Sequence, residues 1–212
     1  MITVREAFGD IDIYLFDQIQ KGRFQPGIKI LDAGCGGGRN IVWFLRNGFE
    51  VFAIDRDESA VCAVQEMAKT LAPRLSPDNF QVATLDSIPF PDEDFDLVIS
   101  NAVLHFAVDR SHFERMLAEL WRVLKPGGMF FARLASSIGI KDLLVPTSKG
   151  RYMMPDGTER FIVDEQMLRD VTEHLGARFI EPIKTTNVEN LRCMTTWVLS
   201  KEADVGKSEA FR

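Results

Sequence analysis

The segment that most constrains the fold is residues 30–38, where an apolar stretch ends in a glycine-rich turn. Four of the five residues from 34 to 38 are glycine, and Asp32 lies just before them. A helix-like segment, residues 39–47, follows directly. Glycine tolerates positive φ angles and lets the backbone approach a ligand closely. The pattern therefore predicts a strand-to-helix turn that binds a ligand in an α/β protein.

Composition limits the classes of protein to consider. The chain has 212 residues, 46% hydrophobic and 26% charged, which suits one domain with a full core. Its net charge of −6 argues against a nucleic-acid partner, because phosphate binding needs a basic face. The sequence has no membrane-length apolar run, no visible signal peptide, and three widely spaced cysteines. We expect a cytoplasmic protein without membrane contact, disulfide framework or metal site.

Periodicity predicts alternating strands and helices, which are typical of a parallel sheet covered on both faces. We expect one domain over 1–200, with an irregular lid insertion at about 135–163 and a polar tail at 201–212. A capping box is expected at Ser111, and a closing hairpin from 178–186 and 191–199. The predicted helices cover 5–21, 39–47, 58–71, 111–124 and 164–175. The other predicted strands cover 28–32, 49–54, 80–85, 95–100 and 129–134.

Two phosphate-binding motifs are incomplete in the glycine turn. A dinucleotide fingerprint needs Gly-x-Gly-x-x-Gly, and its third glycine would fall on Arg39. The observed spacing is instead Gly34, Gly36 and Gly38. A Walker motif would need a Gly-Lys-Ser/Thr run, which does not follow. The turn is therefore a weak candidate for either phosphate-binding class.

Four features in order resemble the class I S-adenosylmethionine-dependent methyltransferases. They are the turn at 31–38, Asp55 after the strand 51–54, the segments 85–90 and 95–101, and Leu-Lys-Pro-Gly-Gly at 124–128. The resemblance implies a Rossmann-like, doubly wound α/β sheet of seven strands. The implied order is 3-2-1-4-5-7-6 with strand 7 antiparallel, and the implied cofactor is S-adenosyl-L-methionine.

The resemblance also implies roles for individual residues. Asp55 would accept from the ribose hydroxyls, Asp86 from the adenine amino group, and Asn101 would contribute a carbonyl near the cofactor's ammonium group. The residues expected to bind the cofactor are Asp32, Gly34, Cys35, Gly36, Arg39, Asn40, Asp55, Arg56, Asp86, Ser87, Ile88 and Asn101. Alternatives stay open for Asp32, which could instead organise the turn by bonding backbone N–H groups, and for Arg39 and Asn40, which could be solvated.

His105 follows the fourth strand, beside the expected methyl-donor site. It is a candidate general base or substrate contact, and the alternative is a wall residue that takes no proton. Arg133, Arg151, Tyr152 and Arg160 are candidate substrate contacts in or beside the lid.

The acceptor is expected to be a small molecule, methylated by in-line displacement. The acidic charge favours this, as does the absence near Asn101 of the Asn/Asp-Pro-Pro-Tyr/Phe motif of nucleic-acid amino methyltransferases. Residues 37–40 and 45–48 also resemble the tellurite-resistance and thiopurine branch. Two other functions stay open, an NAD(P)-dependent oxidoreductase and a non-catalytic module that binds S-adenosylmethionine. A monomer or a homodimer is expected.

Overall fold

A computed structural model describes residues 3–202 of the chain. The helices are α1 (Val4–Phe8), α2 (Ile13–Gln20), α3 (Val42–Arg46), α4 (Glu58–Leu71), α5 (Arg110–Val123) and α6 (Glu165–His174). The first five strands are β1 (Lys29–Ala33), β2 (Glu50–Asp55), β3 (Phe80–Val82), β4 (Phe95–Asn101) and β5 (Leu124–Ala135). The remaining strands are β6 (Val145–Pro146), β7 (Arg151–Met153), β8 (Glu159–Phe161), β9 (Ala177–Phe179), β10 (Lys184–Val188) and β11 (Arg192–Lys201). None of these helices is long and apolar enough to cross a membrane.

The main sheet has the order β3-β2-β1-β4-β5-β11-β10, and β9 also pairs with β11. Strands β1 to β5 run parallel, whereas β11 is antiparallel to β5. This confirms the predicted order 3-2-1-4-5-7-6, with β11 as the seventh strand. The sixth strand is divided into β9 and β10 around Pro182, which has no N–H to donate to the sheet.

Successive residues of the central strands pack into two different core layers. In β1, Leu31 belongs to one cluster and Ile30 to the other. In β4, Val98 and Leu97 divide in the same way. Side chains alternate across a strand, so a strand buried on both faces is apolar at successive positions. This double covering places the ligand-binding edge at the carboxyl ends of β1, β2 and β4.

The first part of the chain differs from the predicted single helix over 5–21. Two short helices form instead, and α1 ends at Gly9, which has a φ of 65°. A Cβ at Gly9 would lie 2.8 Å from Cγ2 of Val42. Asp12 then caps α2 by accepting from the Tyr14 N–H. The predicted helix over 39–47 is also shorter, since regular α-helix begins only at Val42.

Two further local predictions were wrong. Asp109, and not Ser111, caps α5, and its carboxylate accepts from the His112 N–H at 2.8 Å. The lid segment is not irregular, because β6, β7 and β8 form a three-stranded antiparallel sheet within it. Most of the predicted polar tail lies outside the described residues.

Candidate active site

A cavity of about 540 Å³ opens at the carboxyl ends of the central strands. Glycines of the turn form one side and the residues after β2, β3 and β4 form the others. Among the residues predicted to bind the cofactor, six line it: Gly34, Gly36, Asp55, Arg56, Asp86 and Asn101. We call this space the first cavity.

Most backbone N–H groups of the glycine turn are bonded inside the protein. The Gly34 and Cys35 N–H groups both donate to the Ile54 carbonyl, at 2.8 and 3.0 Å. The Gly36 N–H donates to Asp55 Oδ2 at 2.9 Å, and the Gly38 N–H donates to the Cys35 carbonyl. These donors are therefore occupied, and the turn presents a carboxylate where a phosphate cradle would present free N–H groups.

Asp32 lies behind the turn and is fully buried. Neither of its carboxylate oxygens has a hydrogen-bond partner within residues 3–202, so Asp32 does not organise the turn by bonding backbone N–H groups. Burial raises the pKa of Asp32 to about 7, and Arg39 opposes this rise. An unpaired buried carboxylate is costly, so this group favours a cationic partner.

Asp86 lines the first cavity, but the two residues that follow it in the sequence, Ser87 and Ile88, do not. The Thr84 side chain is the main cause of the lowered pKa of Asp86, so its carboxylate is ionised at neutral pH. Ser87 and Ile88 were both expected to bind the cofactor, but their N–H groups are bonded within the protein. The Ile88 N–H donates to Glu119 at 2.9 Å and the Ser87 N–H to the Thr84 carbonyl at 3.2 Å.

Asn101 and Ala102 end β4 and form a wall shared by two cavities. Both polar atoms of the Asn101 amide are buried and have no partner among the described residues. Ala102 has a φ of 64°, a left-handed conformation that is strained for a residue with a Cβ. Strain and unpaired polar groups at one junction are typical of functional sites.

The second cavity lies beyond that wall and has a volume of about 350 Å³. Its charged and polar lining comes from the residue after the glycine turn, the end of β4 and the 3₁₀ turn that follows it, β5, the lid segment and the last hairpin. The lining includes Arg39, His105, Arg133, Asp156, Arg160 and Arg192. The lid segment therefore covers the second cavity. None of the described residues that line the first cavity comes from 135–163.

His105 is buried on the short 3₁₀ turn Leu104–Phe106 and lines the second cavity. Its Nδ1 accepts from the Ala135 N–H at 3.3 Å, which assigns the proton of the neutral ring to Nε2. Burial, with a smaller contribution from Arg160, lowers the pKa of His105 to about 4. At neutral pH the ring is therefore uncharged and offers an N–H donor, which does not fit the role of general base.

A buried ion pair between Arg133 and Asp12 lies at the lining of the second cavity. Arg133 Nη1 donates to Asp12 Oδ2 at 2.6 Å, and the Arg133 guanidinium lies over the Tyr14 ring. The Asn40 amide oxygen accepts from the Asp12 N–H at 3.1 Å. Asn40 therefore holds the start of α2 and does not line the first cavity, contrary to the prediction. Arg39, also predicted to bind the cofactor, lines the second cavity instead.

Three other predicted site residues have structural roles. The Cys35 side chain is buried in the core, and burial raises the pKa of its thiol above the ordinary value. Arg151 donates to the Ala107 carbonyl at 2.6 Å and pairs with Glu159. Tyr152 packs against the small cluster beneath the lid. None of the three lines either cavity.

Sequence reasoning missed several lining residues. Phe106, His112 and Met116 line the first cavity. Arg192 lines the second cavity from the last hairpin. It lies 91 positions after Asn101 in the chain, although both residues line the same cavity. The predicted helix over 111–124 already places His112 in a first turn, and the Asp109 cap accounts for that position in the structure.

Comparisons with known proteins agree with this geometry. Residues 31–132 match the family model described as a methyltransferase domain. An uncharacterized methyltransferase of Synechocystis is 31% identical over 105 residues, which cover 50% of this chain and 46% of that protein. The ubiquinone biosynthesis O-methyltransferase of Rhizobium rhizogenes is 26% identical, with 84% of this chain and 70% of that protein covered. The match thus spans about half the length of the first relative.

A solved structure shows the same fold. The 1,6-didemethyltoxoflavin-N1-methyltransferase of Burkholderia thailandensis has a TM-score of 0.68 at 17% identity. The alignment covers 92% of this chain and 79% of that one. That structure contains 1,6-didemethyltoxoflavin and S-adenosylhomocysteine. Residues 31–132, just under half of the chain, are thus similar to a methyltransferase domain, and the strand order is the one shared with that solved methyltransferase.

Proposed function

We propose that this chain transfers a methyl group from S-adenosylmethionine to a small-molecule acceptor by in-line displacement. The observation that carries the proposal is the pair of cavities meeting at Asn101 and Ala102. The first, about 540 Å³, has the volume and the carboxylates for the cofactor, and the second, about 350 Å³, has room for an acceptor. Two ligands that meet at one wall can be oriented for direct transfer, and orientation supplies much of the rate in such reactions.

The residues of the first cavity fit a cofactor that is cationic and lacks phosphate. Asp55 and Asp86 would hold the ribose and adenine portions, while the Asp32 carboxylate, which is buried behind the turn and does not line the cavity, favours the cationic end. A Cβ at Gly36 would have no atom within 4 Å, so this glycine leaves open space beside the backbone. When bound, the cofactor supplies an electrophilic methyl group on a sulfonium.

The same contacts disfavour a dinucleotide. A pyrophosphate needs free N–H donors at the turn, whereas the N–H groups of Gly34, Cys35, Gly36 and Gly38 donate within the protein. Asp55 would also repel a phosphate placed beside Gly36. These two features support a methyltransferase over the NAD(P)-dependent oxidoreductase.

The protein's part in catalysis is binding, orientation and exclusion of water. Asn101 and Ala102 line both cavities, so the two ligands would meet beside them, and Phe106 borders the first cavity on the acceptor side. His105 would donate its Nε2–H to the acceptor and would not remove a proton from it. The acceptor must therefore reach the site in a nucleophilic form or lose its proton to solvent.

Calorimetric titration with S-adenosylhomocysteine and with NADH tests the cofactor assignment. We expect S-adenosylhomocysteine to bind, Asp55→Asn to weaken it at least tenfold, and NADH not to bind. The control is Glu173→Gln, which changes an exposed carboxyl on α6. Binding of NADH alone would overturn the proposal.

Transfer of labelled methyl from S-adenosylmethionine to pooled thiols, amines, carboxylates and metalloid oxyanions tests the activity. Label appearing in an acceptor supports the proposed reaction. Tight cofactor binding without transfer to any pool would point instead to a non-catalytic binding module.

A further inference from the structure

We propose that the second cavity binds the methyl acceptor as a carboxylate-bearing anion, held mainly by Arg160 and Arg192 beside Arg39 and Arg133. This inference rests on the proposed function of the first cavity, since it assigns the molecule that would receive the methyl group. All four guanidinium groups belong to residues that line one space of about 350 Å³.

The charge of this cavity is positive although the chain as a whole is acidic. Among residues 3–202, two carboxylates lie within 4 Å of the four guanidinium groups. Asp12 Oδ2 lies 2.6 Å from Arg133 and 3.9 Å from Arg39, and Asp156 lies 3.9 Å from Arg192. With every group ionised the balance is two positive charges, in a protein whose net charge is −6. Such a local excess attracts an anionic ligand.

Arg160 has the least compensated charge of the four. No carboxylate lies within 4 Å of its guanidinium among residues 3–202, and its one hydrogen bond is from Nη1 to the Glu159 carbonyl at 2.8 Å. The guanidinium lies over the Phe106 ring, 4.8 Å from the centroid. Phe106 lines the first cavity, so Arg160 lies at the border between the two cavities. Its other N–H groups remain for a planar, two-oxygen ligand.

His105 adds a neutral donor to this set. Its Nδ1 is occupied by the Ala135 N–H, which leaves Nε2–H as the remaining polar group of the ring. A donor fits an anionic oxygen, and no side chain in the lining is suited to remove a proton from a neutral acceptor. Asp156 is a weak base because the Thr158 hydrogen bonds lower its pKa. A carboxylate needs no such base.

The rest of the lining indicates a carboxylic acid with an apolar body and not a phosphate. Met154, Val188 and Met194 form an apolar side of the cavity. Asp156 and Asp12 offset two of the four positive charges. The remaining two positive charges match a ligand with one or two carboxylates. Asp156 and Asp12 would also repel a phosphate dianion more strongly than a singly charged group.

Ligand-observed NMR on the full chain saturated with S-adenosylhomocysteine tests the proposal. The probes are butyrate, glutarate, the neutral butyramide and inorganic phosphate. We expect the two carboxylates to bind and butyramide and phosphate not to bind. Arg160→Gln and Arg192→Gln should each weaken carboxylate binding about tenfold or more, because each removes a charge-assisted hydrogen bond. Arg74→Gln, at an exposed position outside both cavities, should leave it unchanged.

Each alternative result has a distinct meaning. Equal binding of butyrate and butyramide, or full carboxylate affinity in both arginine variants, would overturn the proposal. Binding of phosphate in preference to carboxylates would replace the assigned ligand class. S-adenosylhomocysteine affinity and the thermal midpoint are measured for every variant, so a misfolded protein is recognised. Failure of the wild type to bind S-adenosylhomocysteine would instead contradict the proposed function itself.

Discussion

Replacing the buried carboxyl of Asp32 by an amide should reveal the cost of its burial. Asp32 is fully buried with no hydrogen-bond partner among the described residues. Burial raises its pKa from 3.8 to about 7, a difference of roughly three pH units. At about 1.4 kcal/mol per unit, the ionised group costs the folded, cofactor-free protein about 4 kcal/mol above pH 7.

The sign of the pH dependence follows from proton uptake. Between pH 4 and 7 the folded state holds a proton on Asp32 that the unfolded state has lost, so stability falls as pH rises. Asp32→Asn removes this dependence. The free energy of unfolding of the variant minus that of the wild type should therefore increase by about 1.4 kcal/mol per pH unit between pH 4 and 7. It should become constant above pH 8.

Urea unfolding of the cofactor-free protein at pH 5, 6, 7 and 8 measures this difference. The buried amide of the variant carries its own penalty of about 1–3 kcal/mol, but that penalty does not change with pH. His105 titrates in both proteins and cancels in the difference. Glu173→Gln controls for the loss of one formal charge. A wild type and Asp32→Asn variant with parallel pH profiles would refute the reasoning.

Three further predictions concern other contacts of the fold. Gly34→Ala should cost about 2–4 kcal/mol in urea unfolding, because its φ is +81° and a Cβ would lie 2.4 Å from Val103 Cγ2. Gly37→Ala, with no atom within 4 Å and no positive φ, is the control. Arg122→Ala should cost about 2–3 kcal/mol and weaken S-adenosylhomocysteine binding in titration, since Arg122 donates to the Ile88 and Phe90 carbonyls that hold the loop after Asp86. Glu181→Gln should cost about 2 kcal/mol at pH 7, because Lys21 and other cations lower the pKa of Glu181 from 4.5 to about 2. That loss should shrink as pH falls from 4.5 towards 2, in urea unfolding at pH 7 and pH 3.

The fold was largely predictable from the sequence because its signals are local. The apolar runs of β1 and β4 indicate strands buried on both faces, and the glycines of the turn indicate where the first strand ends. The strand order followed from the resemblance and is confirmed. Local signals also misled, since Ser111 satisfies a capping-box pattern while Asp109 makes the cap. Which of the two residues caps the helix depends on where the preceding 3₁₀ turn, Leu104–Phe106, ends.

The sequence did not predict which polar residues line the cavities and which instead stabilise the fold. Asn40 and Arg151 are both polar residues near predicted loops, and each bonds a backbone group far away in the chain. Asn40 bonds the Asp12 N–H, 28 positions away, and Arg151 bonds the Ala107 carbonyl, 44 positions away. The pattern of side chains along the sequence carries no information about which distant backbone group a polar side chain will bond. The sequence therefore does not indicate such a partner.

By itself, the sequence determined the class of fold, the edge of the sheet that binds a ligand, and six residues of the first cavity. Glycine spacing and strand-end carboxylates are consequences of backbone geometry, and neighbouring residues encode them. Only the tertiary structure decided that most N–H groups of the turn donate within the protein, that Asp32 has no hydrogen-bond partner among the described residues, and that arginines from four separate segments share the second cavity. Burial and charge compensation depend on contacts between groups that are distant in the chain, so they are established only when the chain folds.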